Sequence, residues 1–154
     1  MSEHKAIISW SRKDADFLKG RYSREHTWRF DGGAVVAASP SPSVVPAPWS
    51  NPANVDPEEA FVASISSCHM LTFLFLASRA WYQVDSYHDE AVGLMAKNEK
   101  GVPWVSSVML NPKIIFGEAK HPSPADLERL HYQAHEQCFI ANSVRTQVVV
   151  ASCG

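Results

Sequence analysis

A cysteine thiolate is both a nucleophile and a metal ligand, whereas a buried neutral thiol is a small apolar filler. What surrounds Cys68, Cys138 and Cys153 therefore decides whether this chain carries chemistry. Cys68 stands in Ser66-Ser67-Cys68-His69-Met70, well inside a long apolar run. A helix N-terminus depresses a thiol pKa only within about its first turn, so a reactive Cys68 needs a local cation. Arg21, Arg24 and Arg29, flanking a hairpin near the start of the chain, are the candidates, although a solvated face is the ordinary fate of such arginines. Cys138 closes the segment Ala134-His135-Glu136-Gln137-Cys138-Phe139. Fraying into Ile140, Ala141 and Asn142 would give it the mobility of a resolving thiol; packing at a half-buried helix end is the alternative. Cys153 reads as a tail thiol without a role.

A metal site competes with redox chemistry. His131, His135 and Cys138 follow one another at i, i+4 and i+7, so one helix face would offer three ligands, with Cys68 as a fourth. The short paired loops of structural zinc are missing, and His131 and Cys138 would lie about 10 Å apart along the axis. No nucleotide, flavin or haem motif occurs, and no cofactor or metal is expected.

These residues need elements to hold them. Ala6 to Trp10, Thr27 to Phe30 and Ala34 to Ala37 read as strands, the last two joined by the turn Asp31-Gly32-Gly33. Pro40, Pro42, Pro46, Pro48 and Pro52 make residues 40–54 a stiff surface loop. Asp56-Pro57-Glu58-Glu59 combines an N-cap, proline at the first helical position and a carboxylate three residues on, so a helix starts there. Glu58 and Glu59 both suit a helix start electrostatically. The helix is apolar on nearly every face in its second half and is expected to be surrounded by other structure. Tyr82 to Lys97 and Trp104 to Phe116 read as two extended segments around the loop Asn98–Gly101, Ser123-Pro124-Ala125-Asp126 opens a helix to about Gln137, and Val144 to Val150 closes the chain as a strand. The order argues for an α+β domain with mainly antiparallel sheet.

The chain has 154 residues, 45% hydrophobic and 19% charged, which suits one globular domain over 1–154. Its net charge of -2 supplies no basic field for nucleic acid or an anionic membrane, so neither is an expected partner. The uncharged run Ala60 to Ser78 is broken by Ser64, Ser66, Ser67, His69 and Thr72, which favours a buried helix over a membrane span. Met-Ser-Glu-His-Lys lacks a signal-peptide layout, and a cytoplasmic location is expected, where thiols stay reduced unless they are catalytic, redox-sensing or metal-bound.

Two segments together resemble the OsmC/Ohr superfamily of osmotically induced and organic-hydroperoxide-resistance proteins. They are Asp56-Pro57-Glu58-Glu59 leading to Cys68 ten residues after Glu58, and Ala134-His135-Glu136-Gln137-Cys138 leading to Ala141-Asn142-Ser143. The resemblance implies an OsmC-like fold with a long buried central helix in an intertwined homodimer. It also implies a thiol peroxidase that takes organic hydroperoxides and is recycled by an external dithiol. By it, Cys68 is the peroxidatic thiol, Cys138 the resolving thiol, Glu58 the carboxylate ten residues before the first cysteine, and Arg24 its arginine partner, with Arg21 an almost equal match. Phe139, where Ohr-type members carry proline, and His69 after the first cysteine place the chain with the OsmC-like subgroup. Met70, Leu71 and Phe139 suit an alkyl or aryl hydroperoxide. Ten helical residues rise about 15 Å, so Glu58 and Cys68 cannot meet within one straight helix; two-fold pairing, each copy lending Glu58 and Arg24 to the other's thiol, or a helix break is required. Non-catalytic binding of a lipid-like ligand in the same apolar pocket remains the other reading.

Overall fold

A computed structural model describes residues 1–13 and 16–151; Cys153 lies outside the described residues. Its contacts gather into two compact units, Met1–Ala60 and Phe61–Gly154.

The first unit is a three-stranded antiparallel meander of β1 (Ala6–Ser9), β2 (His26–Phe30) and β3 (Val35–Ala38). Gly33 adopts φ 91° at the β2–β3 turn and donates its N–H to Phe30 O at 3.0 Å, a backbone conformation that L side chains rarely adopt. The proline-rich loop after β3 is anchored by polar groups. Asn51 N donates to Ser39 Oγ at 2.8 Å, and Asn51 Nδ2 donates to Glu25 Oε1 at 2.7 Å. The Asn51 bond, with that from Ser23, holds the Glu25 carboxyl below its ordinary pKa.

Helix α1 runs unbroken from Pro57 to Arg79. The expected capping box is present: Glu59 N donates to Asp56 Oδ1 at 2.7 Å, and Asp56 N donates to Glu59 Oε2 at 3.0 Å. Only one stripe of the helix, Ile65, His69, Phe73 and Ala77, is buried, at the i, i+4 spacing of a single face. Leu71 and Phe75 are 61% and 56% exposed, so the expectation of a helix surrounded on all sides does not hold within one chain. Length and apolar composition alone would let α1 cross a bilayer; its buried stripe instead packs in the core of the second unit.

The two extended segments after α1 each divide into two strands, which the sequence reading had merged. They are β4 (Val84–Asp89) and β5 (Val92–Lys97), then β6 (Pro103–Leu110) and β7 (Pro112–Phe116). β4 pairs with β7 and β5 with β6, both antiparallel, in two separate sheets. The division is fixed by a polar lock: Asn111 N donates to Asp89 Oδ1 at 2.6 Å and Asn111 Nδ2 donates to Glu90 O at 2.8 Å. Helix α2 (Pro124–Gln137) has Ser123 as N-cap and Asp126 completing its capping box, as the sequence predicts. The final strand β8 (Gln147–Val150) adds to β6 in parallel, the one departure from antiparallel pairing among the named strands.

Two apolar clusters hold this unit. Phe73 and Ala77 of α1 meet Leu130 and Ala134 of α2, with Tyr82, Tyr87 and Ile114 packed around them. Ile65 meets Val108 and Leu110 of β6, backed by Val62 and Val148. Gly93 lets β5 approach α1 closely, because a Cβ there would stand 2.5 Å from Val62 Cγ2.

Candidate active site

Cys68 sits on α1 one residue before the buried His69, and its side chain is partly exposed. Cys138 is the C-cap of α2, with extended backbone (φ −70°, ψ 116°) and 1% exposure. The two thiols are neighbours, close enough for Cys68 to raise the Cys138 pKa. Burial, then the neighbouring Cys68, push the Cys138 thiol up to about 11. The backbone N–H groups of Ala141 and Ile140 act in the opposite direction. At neutral pH Cys138 is therefore a protonated thiol beside Cys68.

The expected fraying after α2 is not found. Residues Ala141–Ser143 form a 3-10 turn, and Ala141 N–H points at Cys138 Sγ from 3.5 Å. Asn142 N–H donates to Cys138 O at 3.0 Å, and Asn142 Nδ2 donates to both Glu136 O and Cys138 O at 2.9 Å. Ser143 Oγ donates to Phe139 O at 2.7 Å. The turn holds Cys138 in place beside Cys68. Phe139 projects outward at 82% exposure, and Leu71 is exposed as well.

Glu59 does the capping in the first turn of α1, so the partly buried Glu58 takes no part in that box. Because α1 has no break, the axial separation of Glu58 from Cys68 stands. The Arg24 guanidinium lies 3.9 Å over the Tyr22 ring and donates to Tyr22 O at 2.9 Å and to Gly20 O at 3.4 Å. Arg21 contributes a backbone bridge to Asp16.

The histidines form something other than a zinc site. His69 Nε2 and His131 Nδ1 share a hydrogen bond of 3.1 Å, their rings stacked 5.4 Å apart, and Phe73 stacks on His131 at 4.5 Å. Burial above all lowers both rings to about 4, with the neighbouring His131 and His135 contributing at His69. Among the described residues no three His, Cys, Asp or Glu side chains are grouped to hold a metal ion. His131 is turned into the core toward His69, so the proposed ligand face does not form. Sequence reasoning grouped His131 with His135 and Cys138 on one helix face and missed its pairing with His69; the available signal was the position of His69 on the stripe Ile65, Phe73 and Ala77.

The α+β layout and the paired thiols fall in one class. The sequence model of the OsmC-like protein family matches residues 50–152, and the chain belongs to that family. It is similar to an OsmC-like protein of unknown function from Vibrio cholerae O1 biovar eltor, at 56% identity and a TM-score of 0.94, covering 97% of this chain and 98% of that one. At the level of fold it resembles an organic hydroperoxide resistance protein from Elizabethkingia anophelis (18% identity, TM-score 0.72, 97% and 93% covered). The same holds for one from Bacillus subtilis (17% identity, TM-score 0.65, 97% and 95% covered). No curated protein matches the chain.

Proposed function

We propose that this protein is a cytoplasmic thiol peroxidase that reduces organic hydroperoxides through Cys68 and Cys138. The observation that carries the reading is the proximity of a partly exposed thiol, Cys68, to a buried one, Cys138, whose pKa it raises. The Cys68 thiolate attacks the O–O bond, forming a sulfenic acid and releasing an alkoxide that is protonated to the alcohol. Arg24, with Glu58 as its partner, is assigned to the charge on the departing oxygen. Cys138 then attacks the Cys68 sulfur; its proton leaves with the hydroxyl as water, and the disulfide formed awaits an external dithiol. The attack needs Cys138 to give up its proton, which passes to the departing hydroxyl as the sulfur–sulfur bond forms.

The exposed Leu71 and Phe75 on α1 support a dimer in which the helices of two copies lie side by side and each copy lends Glu58 and Arg24 to the other's thiol. Sedimentation at micromolar concentration is expected to give a dimer; a monomer with full activity would overturn this arrangement.

The cycle itself is tested by free-thiol loss in the reduced protein. Cumene hydroperoxide is expected to consume two thiols per chain rapidly, and hydrogen peroxide to do so much more slowly. Slow loss equal for both oxidants would instead favour a binding module whose cysteines are incidental.

A further inference from the structure

The two sulfurs of the proposed disulfide are not equivalent to an incoming reductant. Within one chain Cys138 is 1% exposed, lies beside Cys68 and has Ala141 N of the following 3-10 turn 3.5 Å from its Sγ, whereas Cys68 is partly exposed. Thiol–disulfide exchange requires the attacking sulfur to approach in line with the bond that breaks, opposite the leaving sulfur. Cys138 is enclosed, with Ala141 N 3.5 Å from its Sγ in a turn tied by Asn142 to Glu136 O and Cys138 O and by Ser143 to Phe139 O, so little room is left for a second sulfur at it.

Resting on the peroxidase reading above, we propose that the external thiol attacks Sγ of Cys68, so that Cys68 carries the mixed disulfide and Cys138 is the leaving group. The attacking thiolate bonds to Cys68 Sγ as the Cys68–Cys138 bond breaks, and the electron pair leaves on Cys138 Sγ. The Ala141 N–H, 3.5 Å from that atom, and the Ile140 N–H receive the charge. Once Cys68 is capped it carries no charge beside Cys138, which removes one cause that holds the Cys138 thiol up. Cys138 then takes a proton from solvent or reductant. The second thiol of a dithiol attacks the reductant's own sulfur in the mixed disulfide, expelling the Cys68 thiolate, and the two electrons gained by the protein are those lost when the dithiol closes to its disulfide.

The test uses the full chain carrying Cys153→Ser, oxidised with diamide so that disulfide formation does not depend on peroxidase activity. Oxidised protein is mixed with 2-mercaptoethanol, quenched in acid within the first turnover, digested, and the adduct located by mass spectrometry. The adduct is expected on Cys68 with at least about tenfold preference, given the difference in access to the two sulfurs. Comparable labelling, or preference for Cys138, overturns the assignment while leaving the peroxidase cycle intact. No Cys68–Cys138 disulfide after diamide overturns both.

Discussion

Steady-state reduction of cumene hydroperoxide is expected to fall about 1,000-fold or more in Cys68→Ser, since loss of a nucleophile on which every later step depends costs several orders of magnitude. A serine hydroxyl in place of the thiol is far less nucleophilic and cannot accept oxygen to form a sulfenic acid. Cys138→Ser is expected to behave differently: one equivalent of hydroperoxide is reduced per chain at close to the normal rate, after which a sulfenic acid at Cys68 persists. Dimedone trapping followed by mass spectrometry checks this, with a single adduct at Cys68. In excess peroxide the same variant runs on to the sulfinic acid, because the thiol that protects Cys68 is gone. Retention of more than about a tenth of the activity by Cys68→Ser would remove Cys68 from the role of nucleophile, given the size of loss expected of one. Loss of the first turnover in Cys138→Ser would give Cys138 a part in peroxide attack.

What the sequence makes legible here depends on whether the determinant is local. Both helix starts are local, because Asp56 with Glu59 and Ser123 with Asp126 satisfy their own first-turn N–H groups within four residues. The turn at Gly33 is local for the same reason, needing only a residue at ease with positive φ. The splitting of each extended segment is not: nothing between Tyr82 and Lys97 interrupts strand propensity strongly enough to show that Asn111, some twenty residues on, reaches back to Asp89 and Glu90. Cys138 illustrates the same limit at the site. Its position at a helix end suggested mobility, yet Asn142 and Ser143 close the carbonyls that a frayed end would leave open. The contact of Cys68 with Cys138 joins residues seventy apart in the chain. Composition has nothing to say about it; only the likeness to a family suggested it.

The largest expected effect outside the thiols belongs to the buried histidine pair, which makes the fold sensitive to acid. His69 and His131 are 1% and 6% exposed, and His69 Nδ1 and His131 Nε2 have no hydrogen-bond partner within the described protein. Neutral rings satisfy the contact between Nε2 and Nδ1 with one donor and one acceptor, whereas two imidazolium rings would set donor against donor. The groups facing them are few. His135 adds a further repulsion for His69, and Asp89, which accepts a short hydrogen bond from Ser66, raises His131 and so works against burial without overcoming it. Both rings fall from 6.5 to about 4 on folding, so the folded state binds fewer protons than the unfolded chain across that interval. Stability from the pair is thus complete above about pH 6.5 and declines as the pH falls toward 4. At about 1.4 kcal/mol per pKa unit, the loss amounts to a few kcal/mol. The urea midpoint is therefore expected to drop steeply between pH 7 and pH 4.5. In His69→Leu/His131→Leu, two apolar side chains of similar bulk replace both partners, a change that is often close to neutral, and that drop should flatten while the midpoint at pH 7 is nearly kept. His69→Leu alone leaves His131 Nδ1 buried without its partner, at a cost of about 1–3 kcal/mol at pH 7. An unchanged acid slope in the double variant would mean that the sensitivity arises elsewhere in the fold.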